Sequence, residues 1–238
     1  MPYYWLYYLF PIVVAFANRN PKIALVAIGF VIVRPWLPDP VVLLRAFARA
    51  GALKRQAELN AANVTARRDL GALYLDLLRP RDALRFLDEA RALDPRNQDV
   101  SFLRGRALLL CGDAEDALRA FGEAVGIDPD AGEPFSSRSM RGNARAFTRF
   151  ADAFLGAASA LERLERLPQA EEALGVAASF NSSMLEPRVR LAQVRKRRGD
   201  REGARAAIVD ARRTFAQLPG YAKRRQLRWW LRTWLTSL

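Results

Sequence analysis

Apolar residues fall into three regimes along the chain. Residues 3–17 (YYWLYYLFPIVVAFA) and 23–33 (IALVAIGFVIV) are uncharged runs. Between them, NRNPK combines turn-favouring Asn18, Asn20 and Pro21 with the charges of Arg19 and Lys22. Arg34, Pro35, Pro38 and Pro40 end the block. From there to about residue 218 the apolar positions follow a helical period, with no two-residue alternation of the kind a half-buried strand shows. After Pro219-Gly220, Leu227, Trp230, Leu231, Trp234, Leu235 and Leu238 fall on one helical face, and Arg225, Arg228 and Arg232 lie mostly off it. An almost wholly helical chain is expected.

At 1.5 Å per residue the first run reaches about 22 Å and the second about 16 Å, each short of the ~30 Å hydrocarbon core. Trp5 and the neighbouring tyrosines nevertheless form an interfacial belt at one end, and Trp36 is placed for the same role near the other. Residues 1–38 therefore read as a membrane-anchor hairpin in a thinned bilayer, with Arg19, Lys22 and Arg34 reaching to the interface. Two alternatives stay open. One is a pair of buried core helices. The other is a signal peptide cut after Ala15-Phe16-Ala17, against which no Lys or Arg precedes the run and a second run follows at once.

The middle of the chain repeats with a period of 34 residues. Gly71 recurs as Gly105, Tyr74 as Leu108, Ala83 as Ala117, Leu87 as Phe121, Ala90 as Ala124, and Asp94-Pro95 as Asp128-Pro129. Each unit reads as two helices, the first near Thr65 to Leu78 and the second running from Arg79-Pro80-Arg81 to Leu93. Glycine and alanine at the recurring small positions let paired helices approach, and Leu70, Tyr74, Leu84 and Leu87 fill the space between them. Ala170 and Ala204, Leu174 and Ile208, and Ala177 and Ala211 keep the same spacing, with Ala158 and Ala192 at the glycine position and Phe154 as an early aromatic. Units are thus expected at about 64–97, 98–131, 151–184 and 185–218 within a repeat region 39–218, with an insertion at about 132–150. Residues 41–59 read as a lone second helix that opens the stack.

The stretches LGALYLDLLRPRDALRFLDEARALDP (70–95) and RGRALLLCGDAEDALRAFGEAVGIDP (104–129) closely resemble the tetratricopeptide repeat (TPR) family. With the apolar N-terminus, the resemblance implies a bacterial membrane-anchored member. It implies an all-α fold, a right-handed superhelical stack of antiparallel helix pairs, preceded here by the hydrophobic hairpin. Two positions depart from the pattern. Arg67 and Ser101 replace the early aromatic of the first helix, and Arg104 replaces the leucine before the second glycine. The resemblance further implies a peptide or partner-helix groove lined by the first helices, here by Thr65, Arg68, Ala72, Leu75, Asp99, Phe102, Arg106 and Leu109. Arg68 and Ala72 do not match the Lys/Asn pair with which chaperone-binding members hold a C-terminal carboxylate. Arg68 and Arg106 suit acidic peptides instead.

Composition narrows the chemistry. The chain of 238 residues contains no histidine, which removes imidazole bases, triads built on them and most zinc sites. Cys111 is the single cysteine and excludes an intrachain disulfide or a cysteine metal cluster. Glu171-Glu172 and Glu162 with Glu165 are the candidate carboxylate pairs, and their spacing reads as solvated helix face. No Gly-rich phosphate loop is present. The sequence argues against an enzyme and calls for no cofactor or metal.

Charge separates the two ends of the chain. Residues 186–238 hold 15 basic and 4 acidic residues, a net of +11, leaving 23 and 21 for residues 1–185, a net of +2. Three readings follow for residues 219–238: a basic amphipathic helix capping the last repeat, a helix lying on an anionic membrane surface, or an RNA-stacking element built on Trp229. The preferred function is a membrane-anchored scaffold with a protein partner. The alternative is a nucleic-acid- or anionic-lipid-binding repeat protein using the basic C-terminal region, in which nucleic acid is the less expected ligand. Arg34, Arg45, Arg49, Lys54 and Arg55 after the apolar block favour cytoplasmic repeats at the bacterial inner membrane.

Overall fold

Asn60 and Asn63 stand one repeat ahead of Asp94 and Asn97, and the backbone answers the same way at both places. Asn63 and Asn97 each cap a helix, Oδ1 accepting from the N–H of Ala66 at 2.9 Å and of Val100 at 3.2 Å. The preceding Asn60 and Asp94 close the turn by accepting from the N–H two residues on. The period is therefore a repeat of local hydrogen-bond chemistry as well as of apolar spacing.

The computed structural model describes residues 40–136, 138–139 and 149–236, and among them every regular element is an α-helix. The anchor hairpin expected over 1–38, with Trp5, Arg34 and Trp36, lies outside the described residues. No helix among the described residues is long and apolar enough to cross a membrane. The chain divides into two units, 1–51 and 52–238. Of the first, the described part is 40–51, the opening of helix α1 (Pro40–Leu59).

In the second unit four antiparallel pairs follow the end of α1. They are α2 (Val64–Asp76) with α3 (Pro80–Leu93), α4 (Gln98–Cys111) with α5 (Ala114–Val125), α6 (Phe150–Arg163) with α7 (Leu167–Phe180), and α8 (Glu186–Arg197) with α9 (Arg201–Gln217). Helix α10 (Gly220–Thr236) packs on α8 and α9. Phe150, placed by its spacing at the end of the insertion, instead opens α6 and is buried.

The four turns inside the pairs share one geometry. Leu78, Gly112, Glu165 and Gly199 occupy one repeat position, and all have positive φ, at 57°, 104°, 56° and 84°. At each turn the N–H of the next residue donates to a carbonyl five residues back: Arg79 to Tyr74, Asp113 to Leu108, Arg166 to Leu161 and Asp200 to Arg195. This is the Schellman termination, which needs a left-handed residue. Two units supply glycine there and two do not.

The core follows the small-against-large pattern. A Cβ added at Gly71 lies 2.5 Å from Leu87 Cγ, and one at Gly105 lies 2.9 Å from the Phe121 ring. Gly156 of the next pair faces the same ring from the other side, with Cε1 2.6 Å from its virtual Cβ. The Phe121 ring is thus wedged between α4 and α6 in space that only glycine leaves open. In the fourth pair Ile208 packs with Ala192 in the same relation.

Where the early aromatic is missing, an arginine clamp takes its place. Arg67 is bonded to Glu89 at 3.2 Å and donates to the carbonyls of Asn63 and Ala57. Arg188 repeats these three bonds, to Asp210 at 2.7 Å and to the carbonyls of Met184 and Ala178. Ser101 at this position donates to Glu123. Phe154, the position's one aromatic, is buried against Phe135 and Phe150.

Candidate functional site

Successive first helices touch one another. α2 meets α4, α4 meets α6, and α8 meets α10, whereas each second helix packs between its own first helix and the next one. α6 and α8 are joined by Arg190, which bonds Glu162 at 2.7 Å and the carbonyl of Leu155 at 3.3 Å. The first helices therefore crowd one side of the second unit and form a continuous inner face.

The residues assigned to a groove by resemblance divide by depth on this face. Thr65 and Arg106 are exposed; Arg68, Ala72, Asp99 and Leu109 are half-buried. Leu75 and Phe102 are buried and lie beneath the surface as core, Phe102 packing on Phe121 at 6.1 Å. Arg68 is engaged by Asp69 at 2.9 Å and Asp99 at 3.7 Å, tying α2 to α4. Its charge is compensated inside the chain. Arg106, in contrast, has no ion-pair partner among the described residues and stands open on α4. Arg149, which spacing did not single out, lays its guanidinium 5.5 Å from the Phe102 ring centroid at the same place.

Farther along the face lies a charged cluster that periodicity did not reveal. Burial raises the Glu186 carboxyl above its usual 4.5, against the lowering pull of Arg190 and Arg228; Asp152 adds to the rise and Arg232 opposes it. Glu186 is 3.7 Å from Arg190.

Three of the four candidate carboxylates, Glu162, Glu165 and Glu171, are taken up in ion pairs. Glu171 accepts from Arg195 at 2.8 Å and also from Arg198. Glu165 accepts from Arg197 at 2.9 Å, and Glu162 from Arg190. Each of these bonds joins one helix pair to the next, so Arg190, Arg195, Arg197 and Arg198 serve as ties between repeats.

The C-terminal helix turns a different face inward than its apolar stripe suggests. Trp229 and Thr233 are the buried residues, Trp229 in a cluster with Leu185, Val189, Ala211 and Leu218. Thr233 donates to the Trp230 carbonyl and accepts from Arg212. Leu227, Leu231, Trp234 and Leu235 stay exposed. Of the apolar stripe, Trp230 packs beside the cluster on Phe215, and the three leucines stay at the surface.

The tetratricopeptide repeat family model matches residues 79–135. No curated protein matches the sequence. Among solved structures, a crystal structure of MamA aligns at a TM-score of 0.59 with 19% identity, covering 69% of this chain and 85% of that one. YrrB, a TPR protein with an unusual peptide-binding site, aligns at 0.56 with 13% identity over 91% of this chain and 97% of its own. A thermophilic TPR protein of Thermus thermophilus aligns at 0.55 with 20% identity, covering 82% of this chain and 92% of that one. At these identities the likeness is one of fold. Residues 79–135 thus carry a tetratricopeptide repeat match, and the described helices share the helical-repeat fold of these solved structures.

Proposed function

We propose that the chain is a membrane-anchored scaffold that holds a peptide or helix of a partner protein on the inner face of its first helices. The observation that carries this reading is the division of labour among the arginines. On the first helices Arg67, Arg68, Arg104, Arg188, Arg190, Arg195 and Arg197 are bound to carboxylates, whereas Arg106 is exposed without an ion-pair partner among the described residues, on the same helix as Leu109 and the Phe102 ring that Arg149 covers. A guanidinium on a partly apolar surface suits an acidic or amphipathic segment. The peptide-binding site named for YrrB makes the same use of the fold a precedent.

Anchoring rests on the two uncharged runs over 3–17 and 23–33 and their aromatic end. The excess of basic residues that follows favours repeats in the cytoplasm at a bacterial inner membrane. Fractionation of native cells tests the anchor: the full chain stays with membranes through alkaline carbonate, and its recovery as soluble protein would overturn that half. Affinity capture of the full chain from detergent-solubilised membranes tests the groove. A discrete partner is expected with the natural chain and is lost with Arg106→Glu; equal capture by both would refute the groove assignment.

A further inference from the structure

The exposed stripe of α10 has no counterpart elsewhere on the described surface. At about 100° per residue, Leu227, Leu231 and Leu235 stand across the helix from Trp229 and Thr233, which face α8 and α9. Leu235 is 72% exposed, and Leu231 and Trp234 are each about half exposed. The sequence of α10, GYAKRRQLRWWLRTWLT, contains no acidic residue and carries Lys223, Arg224, Arg225, Arg228 and Arg232. None of Lys223, Arg224, Arg225 and Arg228 forms an ion pair among the described residues. Trp234 sits at the edge of the stripe, with the Arg212 guanidinium 4.3 Å from its ring centroid.

We infer that α10 docks this face onto an anionic lipid surface, with Leu227, Leu231, Trp234 and Leu235 entering the headgroup–acyl boundary and the flanking basic residues meeting lipid phosphates. The chemistry matches what such a surface selects: an apolar stripe with a tryptophan, a rim of cations and no carboxylate to repel the leaflet. A second copy of the chain is a poor occupant, because pairing two α10 faces sets two acid-free basic helices against each other. The stripe is one helix wide and lies outside the groove of the first helices, a shape that a deformable bilayer follows. The inference does not depend on residues 1–38, since α10 acts through its own face.

The test uses the full chain with Cys111→Ser and Leu231→Cys, an environment-sensitive fluorophore on the new thiol, and circular dichroism to confirm the fold. Vesicles of phosphatidylcholine alone and of phosphatidylcholine with phosphatidylglycerol are the probes. With anionic vesicles the emission shifts to the blue and is quenched by brominated acyl chains. High salt reverses both effects, since the screening length shrinks to about 3 Å at 1 M. With neutral vesicles the probe stays in water. Arg224→Gln and Arg225→Gln each raise the anionic lipid required by about fivefold, the equivalent of about 1 kcal/mol per charge. A probe at Leu235→Cys repeats the result if position 231 perturbs the helix, and one at Val209→Cys on α9 stays in water throughout. No shift on anionic vesicles, or an equal shift on neutral ones, overturns the inference. So does a concentration-dependent shift without lipid, which reports a second copy, or a shift with poly-glutamate or RNA but not with vesicles. Flotation of the same samples with neutral vesicles reports separately on the N-terminal anchor.

Discussion

Replacing Gly156 by alanine places a methyl group against the Phe121 ring, whose Cε1 and Cε2 stand 2.6 and 2.8 Å from the added atom. Contacts that short force movement. The ring has little room to retreat, because it is fully buried and also packs over Gly105, where an added Cβ would lie 2.9 Å from it. Overpacking of this kind costs about 1–3 kcal/mol, offset by the ~1 kcal/mol that alanine gains over glycine in a helix. A net loss of up to about 2 kcal/mol is expected, a fall in Tm of up to about 8 °C for a unit of this size. Gly175 on α7 is the control, since nothing lies within 4 Å of its virtual Cβ. Gly175→Ala should stabilise by up to about 1 kcal/mol, so the two variants differ in sign. Thermal and urea melts followed by circular dichroism read both. In a Phe121→Leu background the penalty at position 156 should disappear, giving a coupling of at least about 1 kcal/mol. If Gly156→Ala behaves like Gly175→Ala, or costs the same with leucine at 121, the wedge between α4 and α6 is not what holds these pairs together.

Three further predictions follow from the repeats. Leu78→Gly and Glu165→Gly should each raise the urea midpoint, because a non-glycine left-handed residue costs about 1–2 kcal/mol and the flexibility of glycine gives back only about half of that; an unchanged or lower midpoint would refute the turn assignment. Arg188→Ala should destabilise by about 1–3 kcal/mol by orphaning the carbonyls of Met184 and Ala178. Arg188→Phe with Asp210→Val, which copies the Phe154 and Val176 of the third pair, should recover most of that loss, and a double variant no better than Arg188→Ala contradicts the equivalence. For Glu186 the sign is set by a native pKa raised above 4.5, so the native state holds this proton more tightly than the unfolded chain. Its contribution to stability therefore declines as pH rises from 4.5 through the raised value. Glu186→Gln should flatten the stability profile over that window and gain on the natural chain at neutral pH; an unaltered slope in urea melts across it would refute the assignment.

The helix pairs were legible because their determinants are local: a cap residue, a small position, a large apolar partner and a breaker, all returning after 34 residues. What stayed hidden needed two helices at once. Arg67 read as a departure from the family pattern and Arg188 drew no reading, although each has an acid 22 residues on, at Glu89 and Asp210, across the pair. The left-handed turn position was visible at Gly112 and Gly199 and invisible at Leu78 and Glu165, where side chains tolerate strain for the sake of the turn. Groove positions carried over by resemblance say nothing of depth, and Leu75 and Phe102 among them are core. The tail misled most plainly. Of its apolar stripe only Trp230 packs inward, while the leucines stay exposed, because docking was decided by the fit of Trp229 among Leu185, Val189, Ala211 and Leu218, and by a threonine whose hydroxyl is satisfied inside the chain.

The central claim is that the first helices present a partner-binding face with Arg106 at its open point. The most direct test places a photo-crosslinking amino acid at position 106 of the full chain in native cells, and at position 85 on the exposed side of α3 as a comparison. The account predicts a discrete adduct of one partner from position 106 and none from position 85. No adduct from 106, or the same adducts from both positions, would contradict it.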